Sequence, residues 1–130
     1  MSYEVGVIGR FTARHRLVGD FGPASQEHAH DYRVEVAATA DDLQPDGTAL
    51  DITILQNALA RATHALHGRN LNDLPELGGR NPGLEPFACA LAEGLSRALV
   101  PALPPRTLTA LTVKLWEDEE AFATYTLSFP

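Results

Sequence analysis

Three histidines carry most of the chemistry in this sequence: His15 in "FTARHRL", and His28 and His30 in "QEHAHDYRVEVA". Positions His28, His30, Tyr32, Val34, Val36 and Ala38 alternate with Asp31, Arg33, Glu35 and Ala37. A period of two predicts a half-buried strand with the even side chains facing inward. Both imidazoles then stand at the mouth of an apolar face. On a strand, a His-x-His pair is more often a hydrogen-bonded rim pair than a metal site. His15 changes that balance. It shares a face with Phe11, Ala13 and Leu17 on the preceding strand, and antiparallel pairing would carry it across to His28 and His30. Three imidazoles from two strands leave one tetrahedral position open, as a catalytic zinc requires. A structural zinc would want four ligands, usually including cysteine, and no such set exists here.

The elements that must position these residues follow from periodicity. "YEVGVIGRFTARHRL" reads as the first strand and the histidine run as the second, with the Gly- and Pro-containing loop "VGDFGPASQE" between them. After the turn cluster "DDLQPDGT" the period changes: Ile54, Leu55, Ala58, Leu59, Ala62 and Leu66 recur at helical spacing, and Gly68 is a helix stop. Residues 68–83 form a loop. A second helix is predicted over Leu84–Leu99, with Pro86 tolerated in its first turn. Two strands, "TLTALTVKLWE" and "AFATYTLSF", complete the chain around an acidic turn. The order ββααββ predicts an α+β fold: one antiparallel sheet with a helix pair on one face, and residues 1–130 as a single domain. Such a short sheet has two free edges, which oligomer formation could cover.

Composition excludes several classes of function. The net charge of −7 opposes nucleic-acid binding, although a local arginine cluster could still hold a small anion. A single cysteine, Cys89, rules out an internal disulfide and fits a reducing cytoplasm; its apolar neighbours predict a packing role. No segment is expected to span a membrane, and "MSYEVGVIGR" lacks the pattern of a signal peptide.

Taken in order, "FTARHRL", "EHAHDY", "GTALDITIL", "RNLNDL", "NPGLE" and "VKLWE" resemble the 6-pyruvoyltetrahydropterin synthase and 6-carboxytetrahydropterin synthase family, over residues 3 to about 127. The resemblance implies the tunnelling fold, a four-stranded antiparallel sheet with two helices that assembles through strand edges into barrel-like homo-oligomers, often hexamers. It implies Zn2+ held by His15, His28 and His30, a small-molecule substrate, and a pterin anchor at Glu117. A carboxylate suits that role, because it accepts two parallel N–H bonds from the amino edge of a pterin. Glu85 matches a further position near the family's site, although "NPGLEP" departs from the usual Thr-x-Glu-Asn ending.

The pattern breaks where the family's proton transfer resides. Ala24 stands where the family has a cysteine, and Ser25 where some relatives have a glutamate. "LHGRNLN" puts His67 and Gly68 at the positions of the family's Asp-His pair. A methyl group cannot shuttle protons. The remaining candidates are His67 and Glu27. His64 and His67 lie three apart on a predicted helix, and for His64 solvated surface is the preferred reading. Strand alternation turns Glu27 away from the histidines unless the loop rotates it inward. The sequence thus predicts a cytoplasmic, homo-oligomeric zinc lyase with a rewired site. It would act by elimination, isomerisation or retro-aldol chemistry on a pterin-like or other polyoxygenated or carbonyl substrate. The alternative is a non-catalytic metal- and ligand-binding homologue that keeps only the fold.

Overall fold

The computed structural model describes the whole chain, Met1–Pro130. Four strands, β1 (Tyr3–His15), β2 (His28–Ala40), β3 (Ala110–Trp116) and β4 (Phe122–Ser128), form one sheet in the order β1-β2-β3-β4. All neighbours are antiparallel. Two helices, α1 (Ile52–Leu66) and α2 (Leu84–Leu99), lie between β2 and β3 in the chain. α1 packs on β1, and α2 on β3 and β4. No helix is long and apolar enough to cross a membrane.

Alternation along the strands gives the sheet its two unlike faces. Val7, Phe11, Ala13 and His15 of β1 are buried, as are Tyr32, Val34, Val36, Ala38 and Ala40 of β2 and Leu111, Val113 and Leu115 of β3. These meet Leu55, Ala58 and Leu59 of α1 and Phe87, Leu91, Leu95 and Leu99 of α2 in one core. At the end of that core nearest the histidines, Phe11 stacks on Tyr32 with ring centroids 5.1 Å apart. Phe87 meets both edge-on, at 5.9 and 5.5 Å. Such pairs contribute about 0.5–1.5 kcal/mol each beyond simple area burial, which gives the site a rigid floor.

Helix α1 begins where Asp51 caps it, its carboxylate accepting from the Thr53 N–H at 3.0 Å. Its approach to β1 depends on Gly9. A Cβ there would lie 3.0 Å from Thr63 Cγ2 and 3.2 Å from Leu59 Cδ2. The helix ends at Leu66, with His67 at its C-cap in extended conformation and Gly68 following at φ 78°. The loop 68–83 contains two short 3-10 turns, Leu71–Asp73 and Pro75–Leu77, whose leucines Leu71 and Leu77 are buried. This loop also covers part of the outer edge of β1. The Gly68 N–H donates to the Thr12 carbonyl at 2.7 Å, and the Arg14 N–H to the Arg69 carbonyl at 2.9 Å.

Candidate metal centre

The β1–β2 register sets His15 opposite His28 and Ala13 opposite His30. All three imidazoles therefore emerge at one end of the inner face. One ligand nitrogen from each ring lies within 4.8 Å of the others. His15 is buried, while His28 and His30 are partly exposed. The Nε2 atoms of His15 and His28 are 2.9 Å apart.

Backbone acceptors fix two of these rings. His15 Nδ1 is 2.7 Å from the Pro82 carbonyl, and His28 Nδ1 is 2.7 Å from the Gln26 carbonyl. A carbonyl only accepts, so each Nδ1 carries the proton and each Nε2 presents a lone pair. Two lone pairs facing one another at 2.9 Å repel unless a proton or a metal cation lies between them. The donor set is the one zinc prefers, with each outer ring N–H already oriented by a carbonyl. Burial holds the His15 imidazole below its ordinary value of 6.5. Its bond to Pro82 opposes that shift, and the neighbouring His28 and His30 reinforce it. The ring is thereby kept neutral, as a metal ligand must be.

Glu117 reaches the same place from β3. The turn after that strand is closed by the Asp118 carboxylate, which accepts from the N–H groups of Glu120 and Ala121 at 2.8 and 2.7 Å. Because Asp118 performs this task, the Glu117 side chain is free to turn to His30, with Oε2 3.7 Å from Nε2. Beneath them Tyr32 is buried, its hydroxyl 3.5 Å from His15 Nδ1. Burial, reinforced by the Glu117 carboxylate, pushes the Tyr32 phenol up, so it remains an O–H donor. Beside His30 and Glu117 runs a cleft of about 970 Å³ along the outer face of the sheet, lined also by Arg10, Thr12, Asp31, Arg33, Trp116 and His67; His15 and His28 do not line it.

The other sequence-predicted residues fall in different places. His67 lines this cleft, and its Nδ1 accepts the Thr12 backbone N–H at 3.1 Å. It does not share a helix face with His64, because the chain leaves the helix at His67, with ψ 127°. Glu27 is turned outward, accepting from Asn70 Nδ2 at 2.8 Å and lying 3.6 Å from Arg14 Nη1. Glu85 is exposed in the first turn of α2, where a carboxylate suits the helix dipole, and it does not line the cleft. Ala24 and Ser25 belong to a short turn, Gly22–Ser25, in which the Ser25 hydroxyl donates to the Gly19 carbonyl at 2.7 Å. Sequence reasoning missed the carbonyls of Pro82 and Gln26 and the contact of Tyr32 with His15. The inward alternation of Tyr32, two residues after His30, was the signal available for the last of these.

An antiparallel sheet backed by two helices, with three histidines converging at one end and a glutamate beside them, defines the tunnelling class of fold. The model of the 6-pyruvoyl tetrahydropterin synthase family matches residues 4–128, and the chain belongs to that family. The 6-pyruvoyl tetrahydropterin synthase of Plasmodium vivax has a similar structure at 16% identity, with 99% of each chain covered and a TM-score of 0.85. That of Caenorhabditis elegans is 22% identical, covering 98% of this chain and 97% of its own, with a TM-score of 0.81. The Plasmodium falciparum enzyme is 16% identical, with 98% and 99% covered and a TM-score of 0.84. No curated protein sequence matches the chain.

Proposed function

We propose that this protein is a zinc-dependent lyase-type enzyme acting on a pterin-like or other polyoxygenated carbonyl substrate by elimination, isomerisation or retro-aldol cleavage. The observation that carries this reading is the pair of opposed Nε2 lone pairs on His15 and His28, with His30 beside them and the Glu117 carboxylate 3.7 Å from His30. His15, His28 and His30 would hold the zinc, which when bound supplies a Lewis acid that polarises a substrate oxygen and acidifies the adjacent C–H or O–H. The Glu117 carboxylate would accept from the N–H edge of the substrate ring and fix its orientation. Tyr32 and Phe87 would keep the floor rigid and dry. The open edge of β4, the part of the β1 edge that the loop 68–83 leaves free, and the family's habit support a homo-oligomer, and the cysteine usage supports a cytoplasmic location.

A second reading, a ligand-binding homologue without catalysis, is favoured by the methyl of Ala24, the engaged hydroxyl of Ser25 and the bare backbone of Gly68. The two separate in one experiment. Zinc-loaded protein is incubated with dihydroneopterin triphosphate and with its dephosphorylated form, and products are followed by chromatography with and without a chelator. Metal-dependent turnover of either supports the enzyme. Saturable binding without turnover supports the second reading, and absence of binding rejects a pterin substrate.

A further inference from the structure

We propose that Arg10 and Arg33 form a binding site for a small phosphate-type anion, on the face of the sheet opposite the histidines. The site does not depend on the zinc-lyase reading.

Alternation fixes the face. Arg10 precedes the buried Phe11, and Arg33 stands between the buried Tyr32 and Val34, so both guanidiniums leave the sheet on its helix-free side. The β1–β2 register makes the two residues Cα partners. Like charges directly opposite one another on neighbouring strands destabilise a sheet. Lys114 of β3 adds a third cation to the same face, as the Cα partner of Glu35, two residues along β2 from Arg33.

The carboxylates that could neutralise this group are held by other donors. Glu35 Oε2 accepts from the Trp116 indole N–H at 2.6 Å, which leaves Oε1 for Arg33, 3.4 Å from Nη2. Asp31 Oδ1 accepts from the Thr12 hydroxyl at 2.7 Å. The Lys114 ammonium lies over the rings of Trp116 and Phe122, at 4.7 and 4.1 Å, which orients it without removing its charge. Arg10 makes no ion pair, and the Arg33 Nε–H is buried without an acceptor. Neither guanidinium is satisfied by the protein alone.

Both arginines line the cleft of about 970 Å³. Arg10 is exposed and the Arg33 side chain is 43% exposed, so a solute reaches both. Each guanidinium presents its N–H groups as a planar fork, the geometry that matches phosphate oxygens. Sign limits the size of the ligand. Glu117, Asp118 and Glu119 line the same cleft, and the chain carries a net charge of −7. These charges repel an extended polyanion such as nucleic acid. A compact anion fits instead: inorganic phosphate, pyrophosphate, or the phosphate group of a small ester.

The test titrates full-length, zinc-loaded protein with pyrophosphate by calorimetry at low ionic strength. The wild type should bind it, and Arg10→Gln and Arg33→Gln should each bind about tenfold more weakly. Arg33→Lys keeps the charge without the fork and should fall between. All should carry the same zinc, so an anion captured by the metal would bind every variant equally. No binding by the wild type at millimolar pyrophosphate, or equal binding by wild type and both glutamine variants, overturns the site. Without anion, Arg10→Gln relieves the opposed charges and should raise the melting temperature by about 1–4 °C. Pyrophosphate should then stabilise the wild type and not the variant. A lower melting temperature in Arg10→Gln would mean that the protein already matches these charges, and would likewise overturn the site. Dihydroneopterin triphosphate and dihydroneopterin distinguish the sources of the anion. If an ester carries it, Arg33→Gln should weaken binding of the triphosphate and not of dihydroneopterin. Loss confined to pyrophosphate assigns the site to the free anion.

Discussion

The Nε2 atoms of His15 and His28 stand 2.9 Å apart while each ring's other nitrogen is bound to a carbonyl oxygen, of Pro82 and Gln26 respectively. The energetic consequence is direct: without a cation, two acceptors are held against each other in a partly buried site.

Purified protein should accordingly carry about one zinc per chain. His28→Ala and His30→Ala should lose most of it, by elemental analysis, while remaining folded, since both side chains are partly exposed. His15 is only 3% exposed, so His15→Ala should cost stability as well as metal. Full-length protein that folds metal-free and gains nothing from added zinc would reject the site.

Chelator-treated protein should lose stability on mild acidification. Burial lowers the folded-state value of His15 from 6.5. As pH falls through that unfolded value, the unfolded chain takes up a proton that the folded chain still refuses, so unfolding is favoured. Above it both states are neutral and the contribution is flat. Melting temperature should thus hold from about pH 8 to about pH 7 and decline below about 6.5. Zinc should raise the curve and steepen its acid limb, because protons compete with the metal for the same nitrogens. A melting temperature that rises on acidification contradicts this account.

Negligible 6-pyruvoyl- or 6-carboxytetrahydropterin should form from dihydroneopterin triphosphate. The positions where relatives keep a thiol or a carboxylate hold Ala24 and Ser25, and the Ser25 hydroxyl is bonded to Gly19 within its own turn. Gly68 offers no side chain, and its positive φ would strain any replacement. Product release assays should read well below a typical enzyme's ~10 per second. Turnover within tenfold of that rate would mean that other groups have taken over the proton transfers.

Strand alternation was sufficient to read the inward faces of β1 and β2, and hence the meeting of His15 with His28 and His30. Helical spacing located α1 and α2, and the prediction of Leu84–Leu99 matches the helix observed. What periodicity could not supply was anything settled by backbone. The carbonyls of Pro82 and Gln26 have no residue-type signature. His67 was read as a helical neighbour of His64, whereas Gly68 lets the chain leave the helix one residue earlier and hand the ring to Thr12. Glu27 likewise depended on a partner distant in sequence, Asn70, which holds it on the outer side.

If the cleft takes a pterin-like ring, Glu117 should make a two-point contact with its amino edge. The carboxylate is about three-quarters shielded, with 26% of the side chain exposed, and its Oε2 lies 3.7 Å from His30 Nε2. Losing a shielded charged acceptor of this kind should weaken binding by about 1.5–3 kcal/mol. Glu117→Gln keeps the shape but turns one acceptor into a donor, facing the ligand's own N–H. Its effect should equal or exceed that of Glu117→Ala, which leaves room for water. Zinc content should stay the same in both, since the three histidines alone make up the proposed ligand set. Calorimetry with sepiapterin or biopterin measures the difference. No binding by the wild type would reject the pterin assignment, whereas equal binding by all three proteins would reject the anchor and leave the metal centre standing.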